Sequence, residues 1–436
     1  MTKLRIHRSS DLLPARGRKV CRPKKHIATM ICIVCLFCAA AVIAAPAQIF
    51  TTVVNFNGTD GAYPYGSLIQ ARDGNFYGTT SQGGANSSDD CIYGCGVVFK
   101  LTPSGTLSLL YSFCVQANCA DGASPWSALV QASDGNLYGT TSAGGGGIQT
   151  CFNGCGTVFK ITPTGTLTTL HAFVGSDGAT PYAGLVQAGD GNFYGITSGG
   201  GEYGSGTVFR ITPNGQLTTL HNFDGSDGAA AYGGLIQASD GNFYGTEVLG
   251  GQYGAGTVFR MTPDGDLVTL HDFVGYPIDG SSPYAGLVQA ADGNFYGTTF
   301  WGGSSDNCDD LAYPGCGTVF KMTPSGSVTL LYSFDKTHGL GPLAPLIQAR
   351  DGNLYGTTQL GGNGEYSGTV FRITPTGDLS VLHAFSGSEG SEPWAGLVQT
   401  SNGIFYGITT SGGIYGPGTV FTLNLGAVRP CAVCRP

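Results

Sequence analysis

The chain has 436 residues, 73 of them glycine, with 11% charged residues against 41% hydrophobic. That hydrophobic share excludes a disordered chain, and low charge with abundant glycine and aromatics fits a tightly turned all-β body. The first 47 residues hold nine Lys or Arg and one acid, so the remainder carries 11 basic and 27 acidic residues, a formal −16 that disfavours nucleic acid and anionic membranes as partners.

Residues 1–47 read as a signal peptide. Arg16, Arg18, Lys19, Arg22, Lys24 and Lys25 precede an apolar run from Ile27 to Ala45, which ends in the small residues around Ala45-Pro46-Ala47. Left uncleaved, the run is just long enough to anchor the chain in a membrane. Gln48–Phe56 (QIFTTVVNF) follows as a strand.

From there the chain repeats itself seven times. The Tyr of an FYG or LYG triplet recurs at Tyr77, Tyr138, Tyr194, Tyr244, Tyr296, Tyr355 and Tyr406, in steps of 61, 56, 50, 52, 59 and 51 residues. Each unit holds four short runs rich in β-branched and aromatic residues, as at Gly184–Ala188, Asn192–Thr197, Gly206–Thr212 and Gln216–Phe223. Asp-Gly and Pro-x-Gly turns separate them. A four-strand unit of about 50 residues predicts an all-β, seven-bladed β-propeller over 48–425 with four-stranded blades. The last copy lacks its fourth run, and Gln48–Phe56 matches that run elsewhere. The expectation is a ring closed by strand 48–56 joining the last blade, which leaves no open edge. Residues 426–436 are a tail.

Behind a signal peptide, closely spaced cysteines read as disulfides of an oxidising compartment. The pairs are Cys91/Cys95, Cys114/Cys119, Cys151/Cys155 and Cys308/Cys316, with Cys431/Cys434 in the tail. Crossed pairing among Cys91, Cys95, Cys114 and Cys119 stays open. No CxxC…CxxC spacing of a zinc ribbon occurs, and the lone CAVC at Cys431–Cys434 has no partner pair, so neither a metal nor a cofactor is expected.

Repeat logic places the Asp-Gly-Asn and Pro-x-Gly turns on one face of the disc. The Gly-Gly-x-Tyr-Gly loops, the inter-blade loops and the four loop cysteine pairs fall on the other, more variable face, which suits a binding surface on a constant scaffold. One aromatic stands at the entry to the innermost strand in six of seven copies: Tyr65, Trp126, Tyr182, Tyr232, Tyr284 and Trp394, with Leu343 in the sixth. Around a channel mouth these rings could stack on sugars or another flat, partly polar ligand; equally, they could pack between blades. The repeated Gln (Gln70 to Gln399) reads as satisfying crowded backbone groups, and the Asp-Gly of the inter-blade loops as turn chemistry. His171, His221, His271 and His383 hold one position on separate blade edges and cannot meet around a metal. No nucleophile elbow, metalloprotease helix or phosphate loop occurs.

The string DGNFYGTT followed by a Gly pair and GTVFK is similar to the tandem GloVer (Gloeo-Verruco) repeat of secreted bacterial proteins, over Gln48 to Asn424. The resemblance implies export, often with a C-terminal surface anchor; Leu425–Pro436 departs from that, having no hydrophobic span or basic stop. It implies no catalytic residue. The expected function is a secreted, periplasmic or surface binding module of the cell envelope, a monomer that takes polysaccharide or a cell-surface protein. The alternative is a carbohydrate-active enzyme, a lyase or glycosidase, for which Asp306, Asp309 and Asp310, and more weakly Asp89 and Asp90, are the nearest acidic clusters.

Overall fold

A computed structural model describes residues 48–426 except 89–90, 147–150, 152, 306–307, 309–313 and 365–366. The expected signal peptide at 1–47, the tail cysteines and the acids Asp89, Asp90, Asp306, Asp309 and Asp310 therefore lie outside the described residues. Gln48–Leu425 forms one compact unit.

Seven four-stranded antiparallel sheets follow one another around the repeat; six have their strands in sequence order, and in the seventh the chain's first strand takes the fourth place. In blade 3 these are Val186–Gln187, Phe193–Thr197, Thr207–Ile211 and Leu217–Asn222. The innermost strand is shorter than its sequence run, pairing over two residues only, as strands do where seven of them crowd one axis. The second strand is buried throughout, while the fourth is half exposed. Gly195 of the FYG triplet has a steric role: a Cβ there would come within 2.4 Å of the Phe209 ring on the neighbouring strand.

Ile49–Asn55 completes blade 7 by pairing with Thr419–Asn424. Two details show that it is a true fourth strand. In blade 3 the register slips between Val208 and Phe209, and the closing pair slips at the same place, where Phe421 and Val420 face Thr52 and Val54. Phe56, at its end, packs edge-on against Phe99 at 5.4 Å, matching Phe173 against Phe209 at 5.3 Å in an ordinary junction.

The core lies between blades more than within them. Tyr194 stacks on Phe243 of the next blade at 4.1 Å, and Tyr138 on Phe193 and Tyr244 on Phe295 at the same spacing. In blades 1 to 6 the Tyr hydroxyl leaves this apolar layer by donating to the Asp of its own turn, as Tyr194 does to Asp190 at 3.0 Å. The repeated Gln joins the blades. Gln187 accepts from the Ser133 backbone N–H of the blade before and donates to Gly191 in its own turn. Equivalent clips run from Gln131, Gln237, Gln289, Gln348 and Gln399. Among the described residues, none joins blade 7 to blade 1.

Candidate functional site

Both ends of each inter-blade loop meet the loop face, so this face collects the insertions and the cysteine pairs. Its inner edge is set by a repeated strained residue. Tyr63, Ser124, Thr180, Ala230, Ser282 and Glu392 have φ of +50° to +61°, a costly conformation for a side-chain-bearing residue. Two backbone bonds hold it. Ser124 donates to the Cys95 carbonyl of the preceding blade and accepts from Ser142. Two residues on, the chain delivers Trp126 to the channel mouth, and Thr180, bonded to the Cys155 carbonyl, delivers Tyr182 in the same way. The cysteine-braced loop of one blade thus aims the ring of the next.

Tyr65, Trp126, Tyr182, Tyr232, Tyr284 and Trp394, with Leu343, converge around a cavity of about 80 Å³. All six rings are half-buried. Tyr65 lies flat on Trp126 at 3.9 Å, and Tyr182 flat on Tyr232 at 4.7 Å. Trp394 meets Tyr65 edge-on at 5.0 Å. Burial raises the Tyr65 hydroxyl pKa, with Glu392 adding to it, and burial also raises those of Tyr182 and Tyr232. These phenols stay neutral donors. The Trp394 Nε1 is buried without a partner. The channel itself, about 280 Å³, has a wall of small and apolar residues with no charged side chain.

Beside the rim opens a recess of about 450 Å³ between the loops of blades 1, 2 and 3. Trp126 and Tyr182 form its inner edge, Ser124, Ser142 and Thr180 add hydroxyls, and Cys91, Cys114 and Cys119 close the outer side. Asn153 points a buried Oδ1 that has no hydrogen-bond partner. A carbonyl oxygen left so is costly, and a ligand or water donor in the recess would satisfy it.

The eight loop cysteines form four local disulfides: Cys91–Cys95, Cys114–Cys119, Cys151–Cys155 and Cys308–Cys316. The uncrossed pairing holds in the first loop, although all four sulfurs of Cys91, Cys95, Cys114 and Cys119 lie within 4.8 Å of one another. Among the described residues this is the one cluster with enough candidate metal ligands, and its sulfurs are engaged in disulfides.

Three features escaped the sequence reading. The inter-blade Asp residues do more than shape turns: His171, His221 and His271 pair with Asp177, Asp227 and Asp279 at 2.8, 2.6 and 3.0 Å, and His383 pairs with Glu389 at 3.0 Å. The four histidines are latches that tie the outer strand to the following loop. Glu247 stands where the other six copies have Thr; it is wholly buried, neither carboxylate oxygen has a partner, and burial, with Asp227 nearby, drives its pKa well up. The Thr-to-Glu change in the GTE triplet was the visible signal. The third is a set of exposed loop tyrosines, whose signal was the Tyr of Gly-Gly-x-Tyr-Gly.

The Gloeobacter/Verrucomicrobia repeat model matches residues 42–188, 147–309 and 311–429. The chain belongs to this repeat family. No curated protein matches it in sequence. Among solved structures, PorZ, a bacterial surface component of the type-IX secretion system of Porphyromonas gingivalis, is similar at 13% identity and a TM-score of 0.52, over 85% of this chain and 47% of PorZ. The periplasmic gluconolactonase PpgL of Pseudomonas aeruginosa is similar at 18% identity and a TM-score of 0.46, over 73% of this chain and 84% of that one. A Dyadobacter fermentans protein of unknown function is similar at 12% identity and a TM-score of 0.46, over 87% and 98%. At such identities the likeness is one of fold.

Proposed function

We propose that this propeller is a binding module that works outside the cytoplasm, in the periplasm, at the cell surface or secreted, and that its loop face takes polysaccharide. The observation that carries the reading is the recess between blades 1 and 3. Aromatic edges from Trp126 and Tyr182 stand beside hydroxyls and an unpartnered buried acceptor, which is the pairing of apolar faces and polar groups that sugars require. Four disulfides support an oxidising compartment. The acidic body favours a neutral or cationic ligand over an anionic one.

The test is a glycan array on the protein with reducing-sugar release measured alongside, followed by Trp126→Ala and Trp394→Ala. The expected result is binding without turnover. Trp126→Ala should weaken it about tenfold, while stability falls by no more than about 2 kcal/mol for the lost stacking. A stability loss of about 3–5 kcal/mol, as for a core cavity, with unchanged affinity, would make the rim mere packing. Sugar release would make the protein an enzyme.

A further inference from the structure

The loop face carries a second set of aromatics that lie mostly open to solvent. Tyr93, Tyr203, Tyr253 and Tyr415, each in the loop before the third strand, are 75%, 59%, 55% and 63% exposed. Among the described residues their rings stack on no neighbour and their hydroxyls make no hydrogen bond. The other three copies also carry an aromatic in this loop, at 152, 313 and 366, outside the described residues. An exposed ring contributes little to folding, and single exposed apolar residues are ordinary. Four exposed rings at one position of the repeat, on one face, are a pattern that the fold does not need.

We propose that these tyrosines form a crown, a multivalent platform for a neutral polysaccharide. This rests on the loop face being the binding face and adds a site distinct from the recess. Charge selects the ligand. Of the nine Lys and Arg between residues 48 and 426, only Lys336 lies in a loop of this face. Arg72 and Arg350 flank the opposite turns, Lys100 and Lys321 pair with turn aspartates there, and the remaining four act on the equivalent aspartates. Acids such as Glu202 and Asp224 therefore face no Lys or Arg, which rules against polyanionic glycans. Sugar C–H faces stack on exposed tyrosines, and hydroxyls reach the bare backbone of the glycine loops. Repetition selects a polymer: equivalent weak contacts around a ring gain from a ligand that repeats, because each contact after the first is intramolecular.

The experiment is affinity electrophoresis of the protein through gels containing β-glucan, mannan, galactan or alginate. At least one neutral polymer should retard the wild type. A variant with Tyr93, Tyr203, Tyr253 and Tyr415 all changed to Ala should lose about 30-fold or more in affinity, each single change about 2- to 3-fold, and a hexasaccharide of the same sugar should bind at least about tenfold more weakly than the polymer. Its melting temperature should match wild type, so misfolding cannot mimic the loss. Wild-type retardation of the fourfold variant, retardation by alginate alone, or none by any neutral polymer would overturn the crown. If Trp126→Ala abolishes retardation and the fourfold variant does not, the recess stands and the crown falls; the reverse leaves the crown and removes the recess.

Discussion

The two faces of the disc are built by opposite rules. On the turn face, blades 1 to 6 repeat one arrangement: Asp190 accepts from the backbone and side chain of Asn192 and from the Tyr194 hydroxyl, and Asp73, Asp134, Asp240, Asp292 and Asp351 do the same. On the loop face the spacing, the cysteines and the charges change from copy to copy. The same chain thus carries a face whose turn aspartates are satisfied within the fold and one that leaves Asn153 and Trp394 buried without partners and a row of tyrosines exposed. The difference separates scaffold from site without any ligand in hand.

The comparison can be broken most severely at the closure. Deleting residues 48–56 removes the strand paired with Thr419–Asn424 and the Phe56–Phe99 contact; the expected outcome is loss of a cooperative thermal transition. An unchanged melt would show that the ring does not depend on that strand. A smaller effect, of opposite sign, is expected at Glu247. Replacing it with the Thr of the other blades removes a buried unsatisfied acid and should stabilise the protein by about 1–3 kcal/mol. Burial raises its folded pKa above the ordinary 4.5, so the unfolded chain releases its proton first and wild-type stability falls as pH rises from about 4.5. The gain of Glu247→Thr should therefore be greater at pH 7 than at pH 4, and a pH-independent difference would refute the buried-acid account.

The turn aspartates should behave in the opposite way. Partial burial raises Asp73, but hydrogen bonds from Asn75 and Tyr77, with Lys100, outweigh it and bring it from 3.8 to about 2. A depressed pKa contributes stability that is present above 3.8 and lost as pH falls through about 2. Melting temperature should drop over that window, and Asp73→Asn should shrink the drop. Smaller again is the effect of a single disulfide: the bond lost in Cys151→Ser closes only a short loop, so the cost should be at most about 2 kcal/mol. Peptide mapping of the first loop should recover Cys91–Cys95 and Cys114–Cys119 rather than crossed products.

The fold was legible because every blade states it again. Alternating apolar runs, turn glycines and a missing fourth strand in the last copy fix blade number and closure, and close spacing pairs Cys151 with Cys155 and Cys308 with Cys316, while the four clustered cysteines of the first blade needed the structure to be paired. The site was legible only in part. Trp126 and Tyr182 stood out as aromatics before an innermost strand, but whether such rings lie on one another depends on the radius of the mouth, which no local pattern encodes. The His171–Asp177 latch depends on the slip between Val158 and Phe159, which sets the side of the outer strand that His171 occupies. Glu247 was a single letter against six Thr, and its weight appears only with its burial.

The glutamine clips carry a consequence for how such rings arise and change. Each of the six clips uses the same side chain to catch the same backbone position of its neighbour, so any blade carries a hook that fits any other. A copied unit would bring with it both the hook and the backbone position that its neighbour's hook catches. The freedom stops at the seam, where strand pairing and the Phe56 contact take over from the clip. Modules can be exchanged along the ring; the join between its ends has to be kept.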